Sequence, residues 1–544
     1  MATALSNPPG TVLLEDLHQR GRVVLQPQPS SDPNDPLNWP AWRKYLNFVL
    51  VSLIDVVTVT WSEMNLELGF SYDILNDSYA AGFGALCLGS VLLLPFALKY
   101  GRRPVYVFSL ALQMGICIWS ARQQTVADLM LVNILCCLVG ALAEVILQMT
   151  VADVFFVHQR GRLNSFYVGT YAVGASLSPT AAGYVATSQG WRWVWWWLAI
   201  LLGAALVTFV FLYEETKYEG KYLAGIPISD ESAGETMDTE TAGGPGSKTF
   251  DQQTPKASTV DAEPQSRADV QDPLRSVAVD SNIPLKSYHS RLALFSPSAS
   301  SLASFIRHMY QPFVLLFTFP AVFYMSLLNA AQVSAGIIPI TVYSTYMTFP
   351  PYNFNPHQIG LLGIPAVLGT LLSAVISGPL SDWMILRLAK RHNGVYEPEM
   401  RLWLILVFHP FWAAGNLMFG IGLDRGMSWP FVCVGLGLAS FGSTPAISLS
   451  LTYLTDTYTE LVCDCLVAVT FAKNLLPMIL VFVLTSWINN MGIANVFILI
   501  TAVFTAIVLG NIVFLFYGKR FRARTAESYR QFSQHSLGTC MRRD

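Results

Sequence analysis

The sequence predicts an all-α membrane protein with twelve transmembrane helices in two pseudo-symmetric six-helix bundles, and three observations carry that prediction. Hydrophobic residues make up 53% of the chain and charged residues 12%, with a mean hydropathy of +0.44, whereas soluble domains carry about 25% charge. Apolar runs long enough to cross a bilayer recur twelve times. One long polar stretch divides them, six before it and six after.

The turn Leu98, Lys99, Tyr100, Gly101, Arg102, Arg103, Pro104 fixes the sidedness of the rest. It joins the apolar runs 75–98 and 104–121, and three cations in so short a loop are retained on the cytoplasmic side. In order, the runs are 45–67, 75–98, 104–121, 126–152, 163–186 and 193–213, then 311–336, 357–380, 401–422, 429–453, 464–487 and 493–517. With the N-terminus inside, only Arg122, Arg192 and Arg425 of the 33 Lys and Arg fall in external loops, and Lys473 lies within a span. Both termini are therefore expected in the cytoplasm.

Residues 1–43 read as a polar, Pro-rich cytoplasmic tail without the residue order of a signal peptide, so the first span directs insertion. Residues 44–213 form the first bundle and 310–518 the second. Between them, 214–309 is rich in Ser, Asp, Glu, Gly, Thr and Pro and cannot bury enough apolar surface to offset its ordering entropy, which predicts a disordered cytoplasmic linker. Residues 519–544 form a cytoplasmic C-terminal tail. Six of the eight cysteines lie in apolar runs, which points away from a disulfide framework. A net charge of −2 points away from nucleic acid as a partner. No metal-ligand spacing, phosphate-binding glycine loop or nucleophile elbow is present, so neither a cofactor nor an enzymatic activity is expected.

Six spans, a linker and six more spans predict an internal duplication, and the basic turn does recur. Six spans later stand Gly378, Pro379, Leu380, Ser381, Asp382 and Trp383, followed by Arg387, Lys390 and Arg391. This pair of loops resembles the major facilitator superfamily motif Gly-x-Leu-x-Asp-Arg-x-Gly-Arg-Lys. The first copy keeps Gly101, Arg102 and Arg103 but has Leu94 and Leu98 for the Gly and Asp; the second keeps Gly378 and Asp382. The resemblance implies that these loops brace the two halves in one state, and Leu98 in place of the acid implies an altered brace in the first half.

In the fifth span Gly169, Gly174, Ser178, Pro179 and Gly183 are similar to the superfamily's antiporter motif, with Ser178 replacing a glycine. Small residues allow close helix approach and Pro179 supplies a bend, although ordinary glycine-rich packing accounts for the same pattern. Cys136 occupies the place of the fourth-span arginine that drug exporters of the family carry before Gly140. The stretches Asp35 to Pro40, Phe155 to Gly161, Trp191 to Trp193, Pro350 to Phe354 and Glu397 to Leu402 resemble the fungal twelve-span drug:proton antiporter-like branch, which includes histidinol and polyamine permease-like proteins.

Chemistry must come from polar groups inside the spans, because an ionised side chain at a helix centre costs about 3 kcal/mol on insertion scales. Asp55 sits in a polar stripe with Ser52, Thr58 and Ser62; Glu144 continues another through Asn133, Gly140 and Gln148. In the superfamily fold the first and fourth spans line the central cavity, so both acids are expected to face it. Two such carboxylates raise each other's pKa and attract either a proton or a cationic substrate; the structural alternative is an acid hydrogen-bonded to neighbouring helices. Lys473, beside Asn474 and four residues before Pro477, pairs with one acid, binds an anionic substrate group, or packs on carbonyls freed by the proline. Asn329 and Gln332 in the seventh span add neutral hydrogen-bonding groups.

The chain thus reads as a monomeric, multi-pass transporter in the plasma membrane in preference to the vacuolar one. It moves a small organic cation or amine by alternating access, coupled to protons through Glu144 and Asp55. Two alternatives stand beside it: an exporter of an apolar drug or fungal metabolite, and a non-transporting nutrient sensor of the same fold.

Overall fold

With no water in the hydrocarbon to satisfy backbone N–H and C=O groups, apolar segments of this length fold as helices that bond internally. The computed structural model describes residues 8–13, 36–39, 44, 64, 67–154, 166, 169, 174, 180–215, 302–391 and 395–540. In chain order the long helices are α1 (Tyr72–Tyr100), α2 (Arg102–Ser120), α3 (Val126–Val154) and α4 (Trp191–Leu212) before the polar stretch. After it come α5 (Leu302–Thr318), α6 (Pro320–Tyr346), the short α7 (Pro356–Leu361), α8 (Gly363–Arg391), α9 (Leu402–Asp424), α10 (Trp429–Thr457), α11 (Val462–Met491), α12 (Ile493–Leu509) and α13 (Asn511–Cys540). Among the described residues, eight helical segments are long and apolar enough to cross a membrane.

Local chemistry sets where these helices start and stop. Ser71 caps α1 by accepting a hydrogen bond from the Ile74 N–H. Gly101 alone separates α1 from α2, and its φ of +106° is a conformation that a residue with a Cβ rarely adopts. Every predicted run that the structure describes is helical, and most are longer than predicted: the run 464–487 becomes Val462–Met491. The run 311–336 differs more. It is two helices broken at Phe319, where Pro320 lacks the N–H needed to continue α5 and instead starts α6. Residues 302–309, expected in the disordered linker, are therefore the first turns of α5. The last run breaks at Gly510, where an added Cβ would come within 2.9 Å of the Tyr324 ring. Beyond it α13 carries the helix through most of the predicted C-terminal tail, because Lys519 and Arg522 find acidic partners on the adjoining loop. Most of the runs 45–67 and 163–186, of the tail 1–43 and of the linker lies outside the described residues.

The outer faces of the helices are apolar. Phe108, Phe211, Phe317, Val375 and Phe516 are all more than half exposed, as a surface solvated by lipid chains requires. The largest buried apolar cluster runs across the molecule, joining Leu94, Tyr106, Ile146 and Phe209 from the first set of helices to Met325, Leu404, Leu449 and Val469 from the second. Close approach inside the first set depends on α1 having Gly89 against α3: a Cβ there would lie 2.3 Å from the Leu138 carbonyl oxygen.

One element was invisible to periodicity. The two-residue strand β1 (Val12–Leu13) pairs antiparallel with β2 (Val395–Tyr396), with Val12 opposite Tyr396 and Leu13 opposite Val395. The N-terminal tail thus reaches the loop between α8 and α9.

Candidate substrate site between the two halves

Helices α1 and α11 lie against each other along much of their length. Near one end the Asn76 amide donates to Thr485 Oγ1 at 3.5 Å, and farther along the Cys87 thiol donates to the Phe471 carbonyl at 3.4 Å. At the opposite end of α1 the Phe96 ring meets Phe305 edge-on, and the Lys99 ammonium lies 5.9 Å from the Phe305 ring centre. A second seam joins helical residues 180–189 to α7: Thr180 donates to the Gly360 carbonyl at 2.6 Å, and the Tyr184 ring packs on His357.

At the first seam the structure brings together two charges separated by more than three hundred residues of sequence. Lys473 Nζ on α11 lies 3.0 Å from Glu144 Oε2 on α3, and Asn474 Nδ2 donates to the same oxygen at 3.3 Å. The two side chains are 13% and 11% exposed, so the pair is largely withdrawn from solvent without being sealed. Pro477 has no N–H to give the carbonyl of Lys473, four residues earlier. The lysine ammonium nevertheless reaches across to the other half, where it neutralises the acid and lowers the cost of holding both charges in an apolar surround.

The remaining predicted residues divide. Asn329, buried in α6, donates its amide to the Ile447 carbonyl at 3.3 Å and to Ser450 Oγ at 3.1 Å, which fastens α6 to α10 within the second half. Gln332, one turn on, is also buried, and neither amide atom has a partner among the described residues. Asp55 and Pro179 lie outside the described residues, as does the side chain of Gln148. Gly174 and Gly183 are helical positions, half-buried and buried respectively.

Both basic loops are braced, each differently. In the first, the backbone N–H groups of Arg102 and Arg103 donate to the two oxygens of Glu215 at 3.0 and 3.1 Å. That carboxylate sits at the positive end of α2. Arg103 also donates to the Val210 carbonyl at 2.6 Å. Glu215 stands directly after α4, at the start of what composition assigned to the linker; an acid within three residues of a span end was the signal available.

The second copy of the motif, expected as a loop, lies inside α8: Gly378 is buried there, and Asp382 Oδ1 lies 3.8 Å from Arg401. Arg401 Nε donates to Asp456 Oδ2 at 3.0 Å and to the Tyr396 hydroxyl at 2.9 Å, while Tyr396 donates to the same Asp456 oxygen at 2.7 Å. Burial pushes the Tyr396 phenol well above its ordinary pKa, so it remains a proton donor. Asp456 and Tyr396 were missed because neither belongs to the loop motif; folding brings them to Arg401.

The described helices thus form two sets that meet through a paired acid and base. Over residues 46–393 the chain matches the model of the Major Facilitator Superfamily, and it belongs to that family. It is 32% identical, across 96% of this chain and 94% of the relative, to the uncharacterised MFS-type transporter C1271.10c of Schizosaccharomyces pombe. To Protein HOL1 of Saccharomyces cerevisiae it is 28% identical across 94% and 92% of the two chains. To the efflux pump radE of Floropilus chiversii it is 24% identical across 82% and 74%. The solved structure of the proton:xylose symporter XylE has the same fold, with a TM-score of 0.55 at 13% identity, covering 87% of this chain and 94% of that one. The chain is thus a multi-pass membrane transport protein with the all-α fold of two six-helix bundles.

Proposed function

We propose that the protein carries a small organic cation or amine across the plasma membrane by alternating access, coupled to protons through Glu144 and Asp55. The observation that supports this reading best is the Glu144–Lys473 pair, in which one carboxylate on the first half is held by an ammonium from the second. The lysine occupies the place that an amine substrate would take. A proton or a substrate ammonium on Glu144 releases Lys473, and with it one tie between the halves. Return of the lysine expels whatever cation the acid was holding. On this reading the bundles are residues 44–213 and 310–518, the protein works as a monomer, and both termini lie in the cytoplasm where the short basic loops are retained.

Similarity to an efflux pump favours a second reading, export of an apolar compound. One assay separates the readings. Purified protein in vesicles under an imposed pH gradient is offered labelled primary amines and neutral analogues of the same shape. Accumulation of the amine alone supports the proposal. Equal movement of the neutral analogue supports the apolar exporter. Binding without accumulation at any gradient supports a non-transporting sensor.

A further inference from the structure

The segment 8–13 is seated in a site built from several parts of the second half. Its strand residues pair with β2. Arg522 of α13, fully buried, forms a two-pronged pair with Glu399, Nε to Oε1 at 2.8 Å and the second terminal nitrogen to Oε2 at 2.7 Å. Its remaining terminal nitrogen donates to the Pro9 carbonyl and, at 3.1 Å, to Thr11 Oγ1. Pro8 is buried. Gly10 has a φ of +83°, and a Cβ there would lie 2.8 Å from Thr457 Cα and 3.0 Å from the Asp456 carbonyl oxygen, so only glycine fits. Main-chain pairing at a strand edge is how many proteins recognise an extended peptide, and here a buried arginine and a glycine-only contact add to it.

We propose that the face formed by β2, the end of α10 and Arg522 is a peptide-recognition site whose built-in ligand is residues 8–13, and that the docked segment fixes the loop carrying Tyr396 and Arg401. The loop lies directly beneath the ligand. Val12 is registered against Tyr396, and Gly10 rests on the backbone of Asp456 and Thr457, so the segment touches two of the residues that hold Arg401. The same tail later passes Pro36–Asn38, a turn packed against α3 of the first half.

The test uses the purified full-length protein with Leu13→Cys and Val395→Cys, partners in the strand register, and a protease site inserted between residues 230 and 260. After oxidation and cleavage, the two fragments are expected to remain joined without reductant, and each control that carries only one of the two introduced cysteines beside the eight native ones to fall apart. Adding Gly10→Val is expected to abolish the joined band, and an excess of a synthetic peptide of residues 6–15 to diminish it. Separate fragments in the double-cysteine protein, or a joined band that survives Gly10→Val, would overturn the proposal. In a second measurement, removal of residues 2–13 is expected to lower the thermal unfolding midpoint, with the peptide restoring it in the truncated protein and leaving the full chain unchanged. A midpoint indifferent to truncation and peptide alike contradicts the proposal that the segment fixes the loop.

Discussion

Glu144 carries the most weight of any single residue, because its partner decides what it can do. With Lys473 and Asn474 on one of its oxygens, it is an acid paired with a cation, and the proposed function has it exchange that cation for another. Glu144→Gln strands an ammonium in an apolar seam, and breaking a buried pair from one side costs about 3–5 kcal/mol. The double variant Glu144→Gln with Lys473→Gln leaves no unpaired charge. We therefore expect denaturation of the purified protein to show the single variant less stable than the double, and equal destabilisation would mean the pair is not coupled. Glu215→Ala is expected to cost about 1 kcal/mol by uncapping α2, read as a lower unfolding midpoint. The sequence marks Glu144 and Lys473 separately, since a charge within a span is rare. That Lys473 pairs with an acid is one of the three readings its sequence offers; which reading holds, and which acid, is not legible, because nothing in residue spacing relates positions 144 and 473, and only the packing of α3 on α11 does.

Among the elements, helices were legible to within a few residues wherever an apolar run had charged ends. The misjudged boundaries share a cause. Residues 302–309 and 519–540 are polar enough to read as linker and tail, yet they are helical, as extensions of apolar segments whose outer turns are held by contacts with other parts of the fold. The pairing of β1 with β2 was beyond pattern reading, since two-residue strands have no period. The loop between α8 and α9 is held by the Tyr396, Arg401 and Asp456 cluster. Tyr396→Phe removes two hydrogen bonds to charged groups, the one given to Asp456 and the one received from Arg401, each worth roughly 1.5–3 kcal/mol. A lower denaturation midpoint with an unchanged helical signal is the expected result; an unchanged midpoint would show that Arg401 alone fixes Asp456.

The whole molecule is two related bundles touching along α1 and α11 and along the seam at Thr180 and Gly360. The fold class was legible from composition and from the repeat of the basic loop, because a bilayer leaves a chain few ways to satisfy its backbone. Movement of one bundle against the other requires these seams to part, and on the proposed reading the charged pair is the contact that a proton or an amine releases. The most direct measurement is amine accumulation in vesicles under an imposed pH gradient, comparing the native protein with Glu144→Gln at equal amounts in the membrane. Gradient-driven accumulation in the native protein and none in the variant is the result predicted. Full accumulation by Glu144→Gln would contradict it and remove this carboxylate from the transport cycle.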